Sequence, residues 1–360
     1  MALKRVEAFI KTLDENNLDG LFLTNETNVR YITGFTGGES YAIICKGFQA
    51  LITDSRYTEW ANGECKEFEI VDYRSRHQTL YEYVAQTCQQ FGIKRLGFEK
   101  KFMMVNMFES FQEKLGDTEF IGTQGLVESL RAVKDEEEIQ CLKKAASLMD
   151  SAFAELLNHV KPGVTEKDLN SELEYLVKKS GADDIGFPFI IAAGARGSMP
   201  HSIPSDRPVK SGEFITFDIG ANYHGYRSDM TRTIAVGHVS ERQTEIYNIV
   251  KSSNEQAELL LKAGVENKLP HLKAVEVIVE AGLKEGVFTY AVGHGIGLDI
   301  HEEPSLSALS KEVLKAGNVV TIEPGIYLPG WGGVRVEDSL VITEDGYELI
   351  TMTNKELIIV

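Results

Sequence analysis

Five residues in the second half of the chain have the chemistry of metal ligands: Asp218, Asp229, His294, Glu323 and Glu337. Asp218 lies in Phe214-Ile215-Thr216-Phe217-Asp218-Ile219-Gly220, and Asp229 in Ser228-Asp229-Met230-Thr231-Arg232-Thr233. Both stretches are rich in β-branched and aromatic residues, and Asn222-Tyr223-His224-Gly225 between them supplies turn residues. A hairpin centred between Tyr223 and His224 would set Asp218 directly opposite Asp229. Two carboxylates facing each other on an antiparallel pair repel unless positive charge lies between them. Glu323, in Val320-Thr321-Ile322-Glu323-Pro324-Gly325, and Glu337, in Gly333-Val334-Arg335-Val336-Glu337, repeat the logic. They flank a turn-rich stretch, and a hairpin centred on Gly330 puts them opposite each other. Four carboxylates and one imidazole form an oxygen-rich set that suits Mn²⁺, Co²⁺ or Fe²⁺, and Zn²⁺ outside a closed tetrahedral site. A single ion does not need so many ligands, whereas two ions about 3.5–4 Å apart that share carboxylates do.

The segments that carry these residues resemble the aminopeptidase P/prolidase branch of the metallopeptidases that share the pita-bread fold with methionine aminopeptidase. The motifs are Phe217-Asp218-Ile219-Gly220, Ser228-Asp229-Met230-Thr231-Arg232-Thr233, Gly293-His294-Gly295-Ile296-Gly297-Leu298-Asp299-Ile300-His301-Glu302, Thr321-Ile322-Glu323-Pro324-Gly325-Ile326-Tyr327 and Gly333-Val334-Arg335-Val336-Glu337-Asp338. The N-terminal part is similar to the same family more loosely, through Asn28-Val29-Arg30-Tyr31-Ile32-Thr33-Gly34-Phe35 and Thr53-Asp54-Ser55-Arg56-Tyr57. The resemblance implies a creatinase-like α/β domain over 1–130 and an α+β pita-bread catalytic domain over 131–360. It implies two divalent ions per chain, manganese first among the candidates, with Asp229 and Glu337 as the bridging ligands. The implied reaction is hydrolysis of the bond between an N-terminal residue and a following proline. Short peptides with proline second would be the substrates, and a homodimer the expected assembly.

Further roles come from the same resemblance. His201 and His301 would sit near the substrate, off the metal, donating to the carbonyl oxygen as charge develops there. Glu323 would pass a proton to the departing nitrogen, which a tertiary Xaa–Pro amide requires. Arg335, two residues from Glu337 and on its face, either balances the carboxylates or orients the substrate or a ligand. Two positions depart from the family pattern. Tyr290 stands where these peptidases usually carry a substrate-contacting histidine, and Ser305 where some prolidases carry an arginine for the dipeptide carboxylate. Both bear on which substrate is held, so dipeptidase and aminopeptidase activity stay open. A related amide hydrolase and a relative without catalysis are the competing readings. Creatinases lack the metal ligands, however, and all five are present here.

The chain has 360 residues, long for one core, with 37 basic against 54 acidic side chains and a net charge of −17. That balance argues against nucleic acid and anionic membranes as partners. Four scattered cysteines without a Cys-x-x-Cys spacing, no long apolar run and an N-terminus that places charges early fit a cytoplasmic enzyme with reduced thiols.

The first third alternates strand candidates (Leu21–Leu23, Tyr41–Cys45, Ala50–Ile52 and Arg95–Phe98) with helical spacing over Val6–Leu13 and Thr79–Ala85. Within it the glycine-bearing segment Gly34–Ser40 is expected to be a mobile, exposed loop. It would reach a neighbouring chain's site, with Glu39 or Arg30 meeting the peptide terminus. Past the boundary a long helix is expected over Glu138–Val160. Capping boxes open two others, at Thr165…Asp168 and at Ser240…Gln243, the latter helix running to Gly264. Helices on one face of a curved antiparallel sheet would leave the carboxylates in its concavity. The remaining histidines, His77, His159, His224, His238 and His271, read as surface or turn residues.

Overall fold

The structure is a computed structural model that describes residues 2–284, 286–288 and 290–360. It divides into two compact units, Met1–Arg131 and Ala132–Val360. The first unit holds a six-stranded sheet in the order Glu69–Asp72, Phe48–Thr53, Tyr41–Cys45, Gly20–Leu23, Arg95–Glu99, Glu119–Thr123. Tyr41–Cys45 runs antiparallel to both of its neighbours, Gly20–Leu23 and Phe48–Thr53, and the other adjacent strands run parallel, as at Gly20–Leu23 against Arg95–Glu99. Phe22, Ile43, Ile52, Leu96 and Phe111 are fully buried between this sheet and its helices. The helix Leu80–Phe91 opens on a capping box at Thr79 and Glu82 and ends on the left-handed Gly92.

The loop after Thr33 is pinned rather than mobile. Gly34 takes φ +80 as the C-cap of Glu26–Thr33, and Phe35 is buried with its ring edge-on to Tyr57 and Trp60. Glu64 receives the Thr36 backbone N–H at 2.8 Å and its hydroxyl at 2.7 Å, while Glu39 pairs with Arg56. Its glycines serve a helix terminus and a tight path, and the side chains between them are held.

In the second unit the strands among the described residues pair antiparallel, and Ala235 makes one parallel bridge to Ile359. The expected single curved sheet is instead four short ladders, of three, three, five and two strands. Two hairpins dominate them, each backed by two helices. Phe214–Ile219 with Met230–Ala235 buries Ile215, Phe217 and Ile234 against Phe153, Leu173 and Val177 of the helices Glu136–Leu156 and Glu166–Lys179. Val319–Ile322 with Asp338–Ile342 buries Val320, Ile322 and Leu340 against Ile246, Val250, Ala274 and Ile278 of Glu241–Glu258 and Lys268–Glu280. The outward face of each hairpin is apolar and wedged on its helices, so the polar residues of alternate parity face the other way.

Capping boxes stand at Asp135, Thr165 and Ser240. The helix from Ser240 stops at Glu258, short of the expected Gly264, and 259–264 turns the chain into the next helix. His271 lies in that next helix and is not a surface residue. It is 7% exposed, its ring edge-on to Phe288 at 5.5 Å, and burial lowers its pKa. Cys45, Cys65 and Cys88 are buried thiols. No helix among the described residues is long and apolar enough to cross a membrane.

Candidate metal and peptide site

The first ligand hairpin turns at His224-Gly225, one residue later than the sequence spacing suggests. Both take positive φ, +52 and +86, the backbone of the tightest two-residue hairpin loop, and glycine takes the second position without strain. The shift puts Thr231, not Asp229, opposite Asp218. Because it moves the register by two residues, parity is kept, and Asp229 stays on the Asp218 face just before the strand begins. The second hairpin has the expected register. Ile322 faces Asp338 in one ladder and Gly325 faces Arg335 in the next, so Glu323 and Glu337 sit opposite each other where the two ladders part.

That interruption has a support which sequence reasoning did not find. The buried Asn254 side chain, on the helix Glu241–Glu258, donates to Ile322 O at 2.8 Å and to Val336 O at 3.4 Å. Those carbonyls belong to the residues just before Glu323 and Glu337. Behind them Asp338 accepts from Arg232 at 2.7 Å and lies 2.9 Å from Lys355, which also reaches Glu258 at 2.6 Å. An asparagine in a helix has no signal in the sequence that separates it from any other buried polar residue.

The five carboxylate and histidine candidates converge. Ligand atoms of Asp229, His294 and Glu337 all lie within 4.8 Å of one another. His294 Nε2 is 3.3 Å from Glu323 Oε1 and 3.6 Å from Asp229 Oδ2. On the other ring nitrogen, Nδ1 lies 3.1 Å from Gly295 O, a carbonyl that can only accept. Nδ1 therefore carries a proton, and Nε2 turns a lone pair towards two carboxylate oxygens unless a proton or a cation lies between them. Asp229 Oδ1 and Glu337 Oε1 are buried without a hydrogen-bond partner. Burial raises the pKa of Asp218, Asp229 and Glu337, and for Asp229 and Glu337 the neighbouring carboxylates push further in the same direction. His294 is also raised, because its contact with Glu323 outweighs the desolvation of its ring. Orphaned anionic oxygens around an imidazole lone pair fit divalent cations, so the residues present suit a metal centre.

Asp218 stands slightly apart and is held by Arg335, whose Nη2 donates to its Oδ2 at 2.5 Å. Arg335 is 2% exposed, and its Nε donates to Thr231 Oγ1 at 3.0 Å. Thr231 passes its own proton to Glu337 Oε2 at 2.6 Å. One guanidinium thus bonds a candidate ligand carboxylate, the threonine that donates to a second, and a tyrosine hydroxyl. Thr231 and Tyr327, whose hydroxyl accepts from Arg335 Nη1 at 2.8 Å, lie within the family-like motifs but had no role assigned from them.

All nine candidates line one cavity of about 1040 Å³: Asp218, Asp229, His294, Glu323, Glu337, His201, His301, Tyr290 and Arg335. The His301 ring is 4.3 Å from that of His294, and burial with the neighbouring imidazole lowers its pKa. Its loop is fastened by Arg227, which bonds Gly297 O and Leu298 O at 2.9 and 3.1 Å. His201 is carried on an exposed loop clamped from behind by Glu166 and Arg196, whose guanidinium bonds Ser202 Oγ at 2.8 Å and Ile203 O at 2.6 Å. The lining also includes apolar residues that the sequence did not single out, Phe187, Pro188, Phe189, Ile190 and Ile203. Ser305 lies in the strand Glu302–Leu306, outside the residues lining the cavity.

Residues 140–344 match the model of metallopeptidase family M24, and residues 5–133 that of the creatinase/prolidase N-terminal domain. An Xaa-Pro dipeptidase of Pyrococcus furiosus is 36% identical over 356 residues, covering 99% of each chain. An uncharacterized peptidase of Bacillus subtilis is 41% identical over 355 residues, again 99% of each. Among solved structures, an Xaa-Pro dipeptidase from Bacillus anthracis superposes with a TM-score of 0.96 at 41% identity, covering 100% of both chains. An X-Pro aminopeptidase from Thermotoga maritima superposes at 0.91 with 35% identity, covering 99% of this chain and 100% of its own.

Proposed function

We propose, for a chain that belongs to metallopeptidase family M24 and carries the creatinase/prolidase N-terminal domain, that it hydrolyses the bond between an N-terminal residue and a following proline. The observation that carries this reading is the single cavity. Its lining joins buried, mutually repelling carboxylates and a lone-pair-directed imidazole to the apolar Phe187, Pro188, Phe189 and Ile190, a composition that suits a pyrrolidine ring. Asp218, Asp229, His294, Glu323 and Glu337 would hold two divalent ions, manganese before cobalt, iron or zinc, which when bound polarise a carbonyl and acidify water.

The chain's own residues do the rest. Glu323, part-exposed to the cavity and 3.3 Å from His294, takes the proton of the attacking water and returns it to the proline nitrogen. His201 and His301 donate to the carbonyl oxygen as it gains charge, and His301, its pKa lowered, is a neutral N–H donor at neutral pH. Arg335 favours the ionised form of Asp218 against the effect of its burial and holds it in place. A cytoplasmic homodimer is the assembly we expect, on the soluble character of the composition and the resemblance.

The test is a panel of Xaa-Pro and Xaa-Pro-Xaa peptides beside Xaa-Ala controls, with metal content measured on the same preparation. Cleavage confined to the proline peptides supports the reading. Equal cleavage of the controls, or none of any peptide by metal-loaded protein, defeats it.

A further inference from the structure

Three hydrogen bonds run from the metal centre to the rim of the cavity, and the two that start at Arg335 have a fixed direction. Arg335 Nη2 donates to Asp218 and its Nη1 to the Tyr327 hydroxyl at 2.8 Å, because a guanidinium can only donate. The Tyr327 and Tyr290 hydroxyls are 2.8 Å apart. Either hydroxyl could donate in that bond, and Tyr290 Oη can accept the Tyr327 proton. The arrangement that uses every proton has Arg335 donating to Tyr327 and Tyr327 to Tyr290. Tyr290 then keeps its own proton for the cavity it lines. The Tyr327 ring is seated by a close approach. A Cβ on Gly325 would lie 2.4 Å from its hydroxyl oxygen, so only glycine there leaves the ring over its own strand with its hydroxyl at Arg335.

We propose that Tyr290 is a specificity-determining residue whose directed hydroxyl receives the proline's own C=O, so that the enzyme favours peptides continuing past proline over free Xaa-Pro dipeptides. The inference rests on the Xaa-Pro reading above and adds to it the substrate's length. An N-terminal ammonium offers only donors, which a donor hydroxyl does not recognise. The scissile carbonyl is served by His201 and His301, so the next acceptor along the peptide is the proline C=O. In a dipeptide that group is a carboxylate, and enclosing it needs a cation.

Among the described lining residues the cationic side chains are Arg335 and Lys167. Arg335 is engaged with Asp218, Thr231 and Tyr327, and Lys167 faces Asp206 at 2.8 Å in a solvent-exposed pair, in a lining that also includes Glu174. A neutral amide carbonyl is adequately served by one neutral donor. The cavity, about 1040 Å³, also exceeds what a dipeptide fills.

The test compares kcat/KM of the metal-loaded enzyme for a matched set: Xaa-Pro, Xaa-Pro-amide and Xaa-Pro-Xaa. The wild type is expected to prefer the amide and the tripeptide over the dipeptide by about tenfold or more, and Tyr290→Phe to lower that ratio about tenfold. Tyr327→Phe keeps the Tyr290 hydroxyl but removes the group that orients it, and should lower the ratio several-fold. Metal content and circular dichroism of both variants confirm that the site is intact. A wild type that prefers the free dipeptide, or a ratio that Tyr290→Phe leaves unchanged, overturns the inference while the Xaa-Pro reading stands. Failure to cleave any member of the set overturns that reading itself.

Discussion

Asp229 Oδ1 and Glu337 Oε1 are buried oxygens with no partner, in residues whose carboxyl pKa values are raised by burial and by the charge of neighbouring carboxylates. Metal ligation needs these groups ionised, so protons compete with the ion. Metal affinity should therefore rise with pH, and adding Mn²⁺ to metal-free protein in a weakly buffered solution near neutrality should acidify it. A titration with no proton release would show that the carboxylates are already ionised and that the reading of their environment is wrong. Asp229→Ala and Glu337→Ala should each lose bound metal and all measurable turnover, read by metal analysis beside the peptide assay. His201→Ala and His301→Ala should keep the metal and lose about 10²–10³-fold in kcat, the usual cost of a missing oxyanion donor. Loss of metal in either histidine variant would make that residue a ligand.

At the scale of elements, the two ligand hairpins depend on contacts from other segments. Asn254 holds the carbonyls ahead of Glu323 and Glu337 together, and Lys355 bonds its Oδ1 at 2.9 Å. Replacing it by leucine leaves three buried polar groups short of partners, at a cost of about 1–3 kcal/mol each for those that water cannot reach. We expect Asn254→Leu to lower the unfolding midpoint and to weaken metal binding more than a cavity mutation in the helix face does; Ala274→Gly, in the same core, is the comparison. Equal metal affinity in the two variants would reduce Asn254 to a stability role.

In the N-terminal unit, Arg56 holds the Asp54 carboxyl down at about 2, chiefly through their side-chain hydrogen bonds. A lowered folded value means stability that is present above the unfolded value near 3.8 and lost as pH falls towards 2. Asp54→Asn should accordingly flatten the acid limb of a stability–pH curve between about pH 4 and pH 2 and leave its shape near neutrality unaltered.

For the whole molecule, the two cores of the catalytic unit are built from hairpin faces and helices, with the ligands on the other side. Removing metal should therefore abolish activity while far-UV circular dichroism and most of the unfolding enthalpy persist; collapse on chelation would make the ions structural. Much of this architecture is legible in the sequence because its determinants are local. Alternation of β-branched residues marks the ligand strands, capping boxes at Thr165 and Ser240 mark helix starts, and glycines mark the turns. Strand parity is local too, so Asp218 and Asp229 are placed on one face even though the turn falls one residue later than expected.

What the chain alone does not determine is what distant segments do to one another. The burial of His271 depends on Phe288 and the rest of the second core, and the fixing of the Gly34–Ser40 loop on Glu64 and Arg56. The joining of Glu323 to Glu337 depends on an asparagine from a helix about 70–80 residues earlier in the chain. Hydrogen-bond direction along Arg335, Tyr327 and Tyr290 likewise exists only once three strands and loops are brought together, because a hydroxyl has no fixed donor role until its neighbours assign one.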